Sequence, residues 1–189
     1  MTVYDESHTS LITVITEDHR ALERVFTELE SRAGTPEYRR NLADHAIAEM
    51  VRHMTTKEQF MYPAIRQTVE NGDVAADRAL EYHAQIEQLL KEFEAVDSTD
   101  PRFDQLLGQI TMVFRDHVEY EEMDLMPRLQ VACTAETIQE LGRKVLIAKA
   151  TAPTRPHPST PDNPPANRIV DPGVGLIDKV RDVLTRRQT

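Results

Sequence analysis

The fold of this chain is decided by residues 117–127, which read HVEYEEMDLMP. His117 is followed four residues later by Glu121, and two positions at this spacing share one face of an α-helix. Both side chains can therefore point into one interior site. Imidazole and carboxylate together are ligands suited to iron, manganese or zinc. By itself the spacing is a weak signal, because it also occurs on helix surfaces that face water.

The stretch has a counterpart 64 residues earlier, at residues 53–63, which read HMTTKEQFMYP. The same offset relates two pairs of histidines and one pair of prolines. These pairs are His19 and His83, His53 and His117, and Pro63 and Pro127. Such an internal repeat predicts a duplicated pair of helices with one histidine on each helix.

Apolar residues recur at spacings of three and four along four segments of the chain, and each of these stripes contains one of the repeated histidines. This period is typical of amphipathic helices, and short connections make neighbouring helices antiparallel. The sequence therefore predicts an all-α fold, an antiparallel up-down four-helix bundle built from a duplicated helix pair. A fifth helix capped by Thr134 and a C-terminal extension should follow. Pro63 lacks a backbone donor and is expected to interrupt or kink the second helix.

The composition changes along the chain and predicts four regions. Residues 1–132 are assigned to the bundle and residues 133–150 to an additional helix packed on it. Residues 151–172 contain seven of the eleven prolines and are expected to form an extended linker. Residues 173–189 are assigned to a short amphipathic helix and tail. This helix is expected to dock on its own bundle or to stay loosely folded. Binding to a membrane, to a protein partner or to a second copy of the chain is the less favoured alternative.

The charge of the chain is uneven and excludes one class of partner. Residues 151–189 contain six Lys or Arg and four acids, so this region has a net charge of +2. Since the whole chain has a net charge of −10, residues 1–150 carry −12. So acidic a bundle is not expected to bind nucleic acid. No apolar run approaches the roughly 18 residues of a membrane span, and the N-terminus lacks the features of a signal peptide. With a single cysteine, Cys133, the chain is predicted to be cytoplasmic and without a transmembrane segment.

The bundle interior would contain one carboxylate and four imidazoles. They belong to His19, His53, His83, His117 and Glu121. An isolated buried charge costs several kcal/mol even after relaxation. A divalent or trivalent cation would offset this cost, and the only other group of the stripe that could do so is Lys57.

These motifs resemble the hemerythrin-like, or HHE cation-binding, domain family over roughly residues 8–132. The resemblance rests on one histidine in each of the four helices, on His-x-x-x-Glu in the fourth helix and on a proline downstream in the second and fourth. The Pro-rich tail resembles that of longer actinobacterial members. The resemblance implies two non-haem iron ions in a four-helix bundle, held by two bridging carboxylates and by terminal histidines. Known relatives bind or sense dioxygen, degrade peroxide, handle nitric oxide or supply iron for cluster repair.

The resemblance also implies the metal ligands. They are His19, His53, Glu58, His83, His117 and Glu121, with Glu23 and Glu87 as further candidates. Lys57 stands where the family has its second-helix Glu, so Glu58 is expected to supply that carboxylate while Lys57 turns aside along the helix surface. Glu87 replaces a histidine of the oxygen carriers, and Glu23 is its repeat counterpart. For Glu23 and Glu87 a solvated surface position is the competing interpretation.

Three classes of function stay open. The leading hypothesis is a di-iron protein that binds or turns over a small oxidant, namely dioxygen, peroxide or nitric oxide, in a stress response. Whether this includes an enzymatic activity is left open, and dioxygen transport is disfavoured by Glu87. The second hypothesis is a metal-binding module that senses iron or oxygen without turnover. The third is a structural bundle with a degenerate metal site, in which Lys57 pairs with Glu121.

Overall fold

The computed structural model describes residues 10–156, which form helices joined by short connections and contain no strand. Two of the long helices are each interrupted by one π-helical turn. In chain order the elements are α1 (Leu11–Glu30), α2 (Pro36–Thr56), a first π turn (Lys57–Met61), α3 (Tyr62–Thr68), α4 (Gly72–Glu94), α5 (Arg102–Tyr120), a second π turn (Glu121–Leu125), α6 (Met126–Ala132) and α7 (Ala135–Lys149). The predicted all-α fold is confirmed.

The helices form a four-membered bundle with a fifth helix on its side. Four long helical rods make up the bundle: α1, α2 continued by α3, α4, and α5 continued by α6. Helix α1 packs on α2 and α5, and α4 packs on α2, α3 and α5. Each rod therefore contacts both of its neighbours. Short connections between consecutive rods make them antiparallel. Helix α7, predicted as the fifth helix, packs against α1, α2 and the first π turn.

Three helices begin at hydroxyl side chains that cap their first turn. Ser10, Thr35 and Thr134 precede α1, α2 and α7, and each has an extended backbone. Their side-chain oxygens accept hydrogen bonds from the backbone N–H three residues later, at 3.1, 3.2 and 3.3 Å. These bonds satisfy donors that the helix itself leaves without a partner.

The two π turns lie at equivalent places in the internal repeat. They begin at Lys57 and Glu121, and each precedes a proline, Pro63 or Pro127. A proline cannot donate to the carbonyl four residues earlier, and its ring crowds that carbonyl. A turn that is one residue wider accommodates the proline while the helix continues. The predicted interruption at Pro63 is therefore confirmed.

The histidines lie in a layer between two apolar clusters. Along α1, Leu11 and Ile15 belong to the cluster on one side of His19, whereas Leu22 and Phe26 belong to the cluster on the other side. On the other long helices the two clusters also lie on opposite sides of the histidine, in reversed chain order on α2 and α5, which run antiparallel to α1. Packing on both sides fixes the bundle where the polar side chains meet, so these side chains are held inside a rigid frame.

The C-terminal region is described only in part. Residues 151–156, the start of the predicted linker, are not helical, and Nη1 of Arg155 donates to Oε1 of Glu94 at 2.7 Å. The rest of the predicted linker and the predicted helix in residues 173–189 lie outside the described residues. Among the described helices, none combines the length and the apolar character that crossing a bilayer requires.

Candidate metal centre

The four repeated histidines meet in the bundle interior, where each is at most 3% exposed. The rings of His19 and His53 have their centroids 4.9 Å apart at an interplanar angle of 72°. The rings of His83 and His117 are also 4.9 Å apart, at 70°. The internal repeat thus produces two similar histidine pairs, as the sequence predicts.

Glu121 lies between the two histidine pairs and is fully buried. Its Oε2 is 3.2 Å from Nε2 of His19 and 3.4 Å from Nε2 of His117. Two sets of three donor atoms result, each within 4.8 Å of one another: a first group of His19, His53 and Glu121, and a second group of His83, His117 and Glu121. Ligand atoms bound at about 2.1 Å to one ion are roughly 3.0–3.4 Å apart. The contacts of Glu121 with His19 and His117 lie in this range, so each group could close around a cation.

Three of the four histidines are oriented by a carboxylate on their outer side. An ionised carboxylate can only accept a hydrogen bond, so Nδ1 of each ring carries the proton and Nε2 directs its lone pair inwards. Carboxylates commonly orient metal-binding histidines in this way. The pairs are His19 with Glu122 at 2.9 Å, His53 with Asp18 at 3.3 Å and His83 with Glu58 at 2.5 Å.

The first group presents lone pairs that nothing in the described part of the chain uses. Nε2 of His19 and Nε2 of His53 are buried and make no hydrogen bond of good geometry within the described residues, although Oε2 of Glu121 lies 3.2 Å from Nε2 of His19. Burial lowers the pKa of His53 to about 3, and the charge of Lys57 acts in the same direction. Burial would raise the pKa of Asp18, but the hydrogen bond and charge of His53, together with Lys149, lower it to about 2. A neutral imidazole held by an ionised carboxylate is the form in which histidine binds a metal.

The second group faces two hydrogen-bond donors. Nζ of Lys57, which is fully buried, lies 2.8 Å from Oε2 of Glu121 and 2.9 Å from Nε2 of His117. The hydroxyl of Tyr62 lies 2.8 Å from Oε1 of Glu121 and 2.8 Å from Nε2 of His83. The atoms that a cation would need in this group are thus already in contact with an ammonium and a hydroxyl.

Burial and charge act against each other in the pair formed by Lys57 and Glu121. Burial lowers the pKa of Lys57, although the charge of Glu121 opposes this effect. Burial would raise the pKa of Glu121, but the charges of His117 and Lys57 hold it well below its usual range. The carboxylate of Glu121 is therefore ionised, which suits both an ammonium and a metal ion as its partner.

The positions of Lys57 and Glu58 correct the prediction made for them. Lys57 does not turn aside, and Glu58 contacts the outer nitrogen of His83 rather than entering either group. Helix α2 stays α-helical to Thr56, so Lys57, four residues after His53, remains on the inner face. Glu58 lies about 100° further round the helix axis.

The two further candidate ligands are not part of either group. Glu23 lies on the surface with its side chain 37% exposed, and its Oε1 accepts a hydrogen bond from Nη2 of Arg115 at 2.7 Å. This position agrees with the competing interpretation of Glu23 as a surface residue. Glu87 is partly buried and also belongs to neither group.

Sequence reasoning missed three residues that shape the centre. The signal for Glu122 was its place in the repeat, because Glu58 and Glu122 are 64 residues apart and hold equivalent histidines. Tyr62 lies next to Pro63 inside the repeated motif, but its counterpart is a methionine. Asp18 has Tyr82 as its counterpart, so the repeat offered no signal for it.

Comparisons with known proteins agree with this arrangement. The model of the hemerythrin HHE cation-binding domain family matches residues 10–129. An uncharacterised hemerythrin-like protein of Schizosaccharomyces pombe is 24% identical over 179 residues, which cover 94% of this chain and 88% of that protein. A DNA nickase of Nostoc sp. is 22% identical over 146 residues, which cover 77% of this chain and 41% of that protein.

A solved structure shares the fold. The crystal structure of a hemerythrin HHE cation-binding domain-containing protein from Mycobacterium kansasii superposes with a TM-score of 0.63 at 20% identity, and the match covers 72% of this chain and 83% of that chain. The family match spans more than half of the chain and includes all four histidines of the centre. The chain therefore belongs to the hemerythrin HHE cation-binding domain family.

Proposed function

We propose that this protein is a non-haem iron protein that binds or turns over a small oxidant, namely dioxygen, peroxide or nitric oxide. The observation that carries the proposal is the first group, in which two buried imidazole nitrogens have no hydrogen-bond partner among the described residues. They face the buried carboxylate of Glu121. Two histidines and one carboxylate with open positions are the ligand set typical of non-haem Fe(II).

The side chains around the first group have three tasks in this proposal. His19, His53 and Glu121 hold the iron, while Asp18 and Glu122 keep the two imidazoles in the orientation and tautomer that binding requires. Iron held in this way supplies a binding position for the oxidant and exchanges electrons with it. Because the ligands are at most 3% exposed, only a molecule of the size of peroxide or a diatomic gas is expected to reach them.

Metal analysis combined with peroxide turnover tests this proposal. The full-length protein is purified without chelators, its iron content and optical spectrum are measured, and its consumption of hydrogen peroxide is followed. We expect bound iron and turnover in the parent protein and the loss of both in His53→Gln. His45→Gln is the matched control, because His45 lies on the same helix outside both groups. A parent protein that binds neither iron nor another transition metal would contradict the proposal.

Two alternatives make different predictions in the same experiment. A sensing module would bind iron without consuming the oxidant. A structural bundle with a degenerate site would bind no metal, and the ion pair between Lys57 and Glu121 is the observation that favours this alternative. DNA nicking is not carried over from the Nostoc relative, because a net charge of −10 opposes binding to phosphates.

The wider setting of the protein follows from the same proposal. Chemistry with small oxidants suits a role in a stress response, and a chain with a single cysteine suits the reducing cytoplasm. We also propose that the C-terminal segment, residues 173–189, is the part that contacts a protein partner or a second copy of the chain.

A further inference from the structure

We infer that the centre holds one metal ion, in the first group, and that the ammonium of Lys57 takes the place of a second ion in the second group. This inference rests on the proposed function and concerns the number of ions and their location. It departs from the two iron ions that the family resemblance implies. Three differences between the two groups support it, each at a different pair of repeat positions.

The first difference is the exchange of a carboxylate for an ammonium. Lys57 and Glu121 occupy equivalent positions, 64 residues apart. Glu121 serves both groups, whereas Nζ of Lys57 lies within 2.9 Å of His117 Nε2 and Glu121 Oε2, two of the three donor atoms of the second group. Nε2 of His117 has one lone pair, which an ammonium and a metal ion cannot both use, and an ion held by His83 and His117 would be repelled by the ammonium between them and Glu121.

The second difference concerns the hydroxyl of Tyr62. This hydroxyl donates its one proton to Oε1 of Glu121, and its oxygen lies 2.8 Å from Nε2 of His83, the third donor atom of the second group. The repeat counterpart of Tyr62 is Met126, which has no hydroxyl. Nε2 of His19, the equivalent of His83, has no hydrogen-bond partner among the described residues. Lys57 and Tyr62 thus lie within 2.9 Å of all three donor atoms of the second group, where a cation would bind, whereas neither of them contacts the imidazole nitrogens of the first group at such a distance among the contacts of the described residues.

The third difference is the outer partner of the histidine that precedes each π turn. Asp18 accepts from Nδ1 of His53, but its repeat counterpart is Tyr82, whose ring packs against His117 at 5.3 Å. Nδ1 of His117 is therefore buried without a hydrogen-bond partner among the described residues. Both histidines of the first group are held by carboxylates, as ligands usually are, and only His83 is so held in the second group.

The first two differences balance the charge of the second group without a metal ion. The charge of Lys57 balances that of Glu121 in direct contact, and Tyr62 binds the other oxygen of the same carboxylate. A buried ion pair whose remaining lone pairs are hydrogen-bonded is the arrangement in which burial of charge is tolerated. The second group therefore needs no metal to offset its carboxylate, whereas the first group offers ligands that are not otherwise used.

Counting the ions bound per chain tests the inference. The full-length protein and its variants are loaded with Fe(II) under argon, passed through a desalting column and analysed for iron and protein. The matched pair of variants is His19→Gln and His83→Gln, because these histidines are repeat counterparts that are both buried and both held by a Glu. We expect one ion per chain in the parent and in His83→Gln, and none in His19→Gln.

A variant that restores the repeat gives a second readout. Lys57→Glu places a carboxylate where the repeat has one, and we expect it to raise the content from one to two ions per chain, with helicity checked by circular dichroism. Two ions in the parent protein, or loss of the ion from His83→Gln, would overturn this inference and leave the proposed function intact. A parent that binds no metal would instead overturn the proposed function and the inference with it.

Discussion

Nζ of Lys57 lies 2.8 Å from Oε2 of Glu121, and both side chains are completely buried. The two residues are repeat counterparts, so the pair joins the two halves of the duplicated structure at their shared centre. Each charge is tolerated in the interior because the other lies next to it. The centre therefore has a stable arrangement of its side chains before any metal is bound.

Removing either charge should lower the free energy of unfolding of the metal-free protein. Removing both charges should lower it by less than the sum of the two single effects. Lys57→Met and Glu121→Gln each leave one buried group without its partner, at a cost of about 3–5 kcal/mol. In the double variant neither charge remains, so we expect a coupling of roughly 1–3 kcal/mol between the two sites. Urea unfolding in the presence of a chelator gives the four free energies. Strictly additive effects would show that the pair does not stabilise the fold.

The orienting carboxylate of His53 should affect metal affinity more than it affects folding. Asp18→Asn removes the charge that fixes the tautomer of His53, and loss of such a partner typically weakens binding by about 10–100-fold. Asp116→Asn is the control, since it makes the same chemical change at an exposed residue on α5. Competition with a chromogenic chelator measures both affinities. Equal affinities in the two variants would mean that Asp18 does not orient the ligand.

The turn between α3 and α4 depends on a glycine that has no room for a side chain. A Cβ on Gly72 would lie 2.2 Å from the carbonyl oxygen of Ile65, which is backbone and cannot move aside. We expect Gly72→Ala to cost about 1–3 kcal/mol in the free energy of unfolding. Gly108, inside α5, has open space around its Cβ position, so Gly108→Ala should stabilise the protein by about 0.5–1 kcal/mol. Urea unfolding of both variants measures these free energies. A Gly72→Ala protein as stable as the parent would contradict the predicted clash.

The apolar cluster next to the histidine layer should be needed for stability. Phe114 is 1% exposed and stacks edge-on against Phe26 and His19, at 5.2 and 6.2 Å between ring centroids. We expect Phe114→Ala to lower the free energy of unfolding by about 3–5 kcal/mol. Met112, on the same helix, is 59% exposed, and Met112→Ala should change stability by less than about 0.5 kcal/mol. Thermal unfolding that failed to separate the two variants would argue against this packing.

The fold was largely predictable, because the apolar periodicity of each helix and the internal repeat are both visible in the sequence itself. Apolar spacing identified the helices, and the offset of 64 residues predicted that His19, His53, His83 and His117 would lie in one layer. The π turns were not predictable in form, since a proline can kink a helix in several ways. The repeat does explain why both turns occupy equivalent positions.

The centre itself was predicted less well, for a reason visible at Lys57. The sequence interpretation turned this ammonium aside because Glu58 was expected to supply the carboxylate of a metal site, beside which a cation is repelled. Helix geometry instead keeps a residue four positions after His53 on the inner face, where Lys57 pairs with Glu121 as the third hypothesis had it. The contact between Asp18 and His53 joins two different helices, and no spacing within one helix could have predicted it.

The location of the iron can be measured directly by anomalous X-ray scattering at the iron edge, from crystals of the parent protein grown with Fe(II) under argon. We expect one peak per chain, lying between Nε2 of His19, Nε2 of His53 and the carboxylate of Glu121. We also expect Nζ of Lys57 to stay in contact with Glu121 in the same crystal. A peak between His83 and His117, either alone or in addition to the first, would contradict a single ion in the first group.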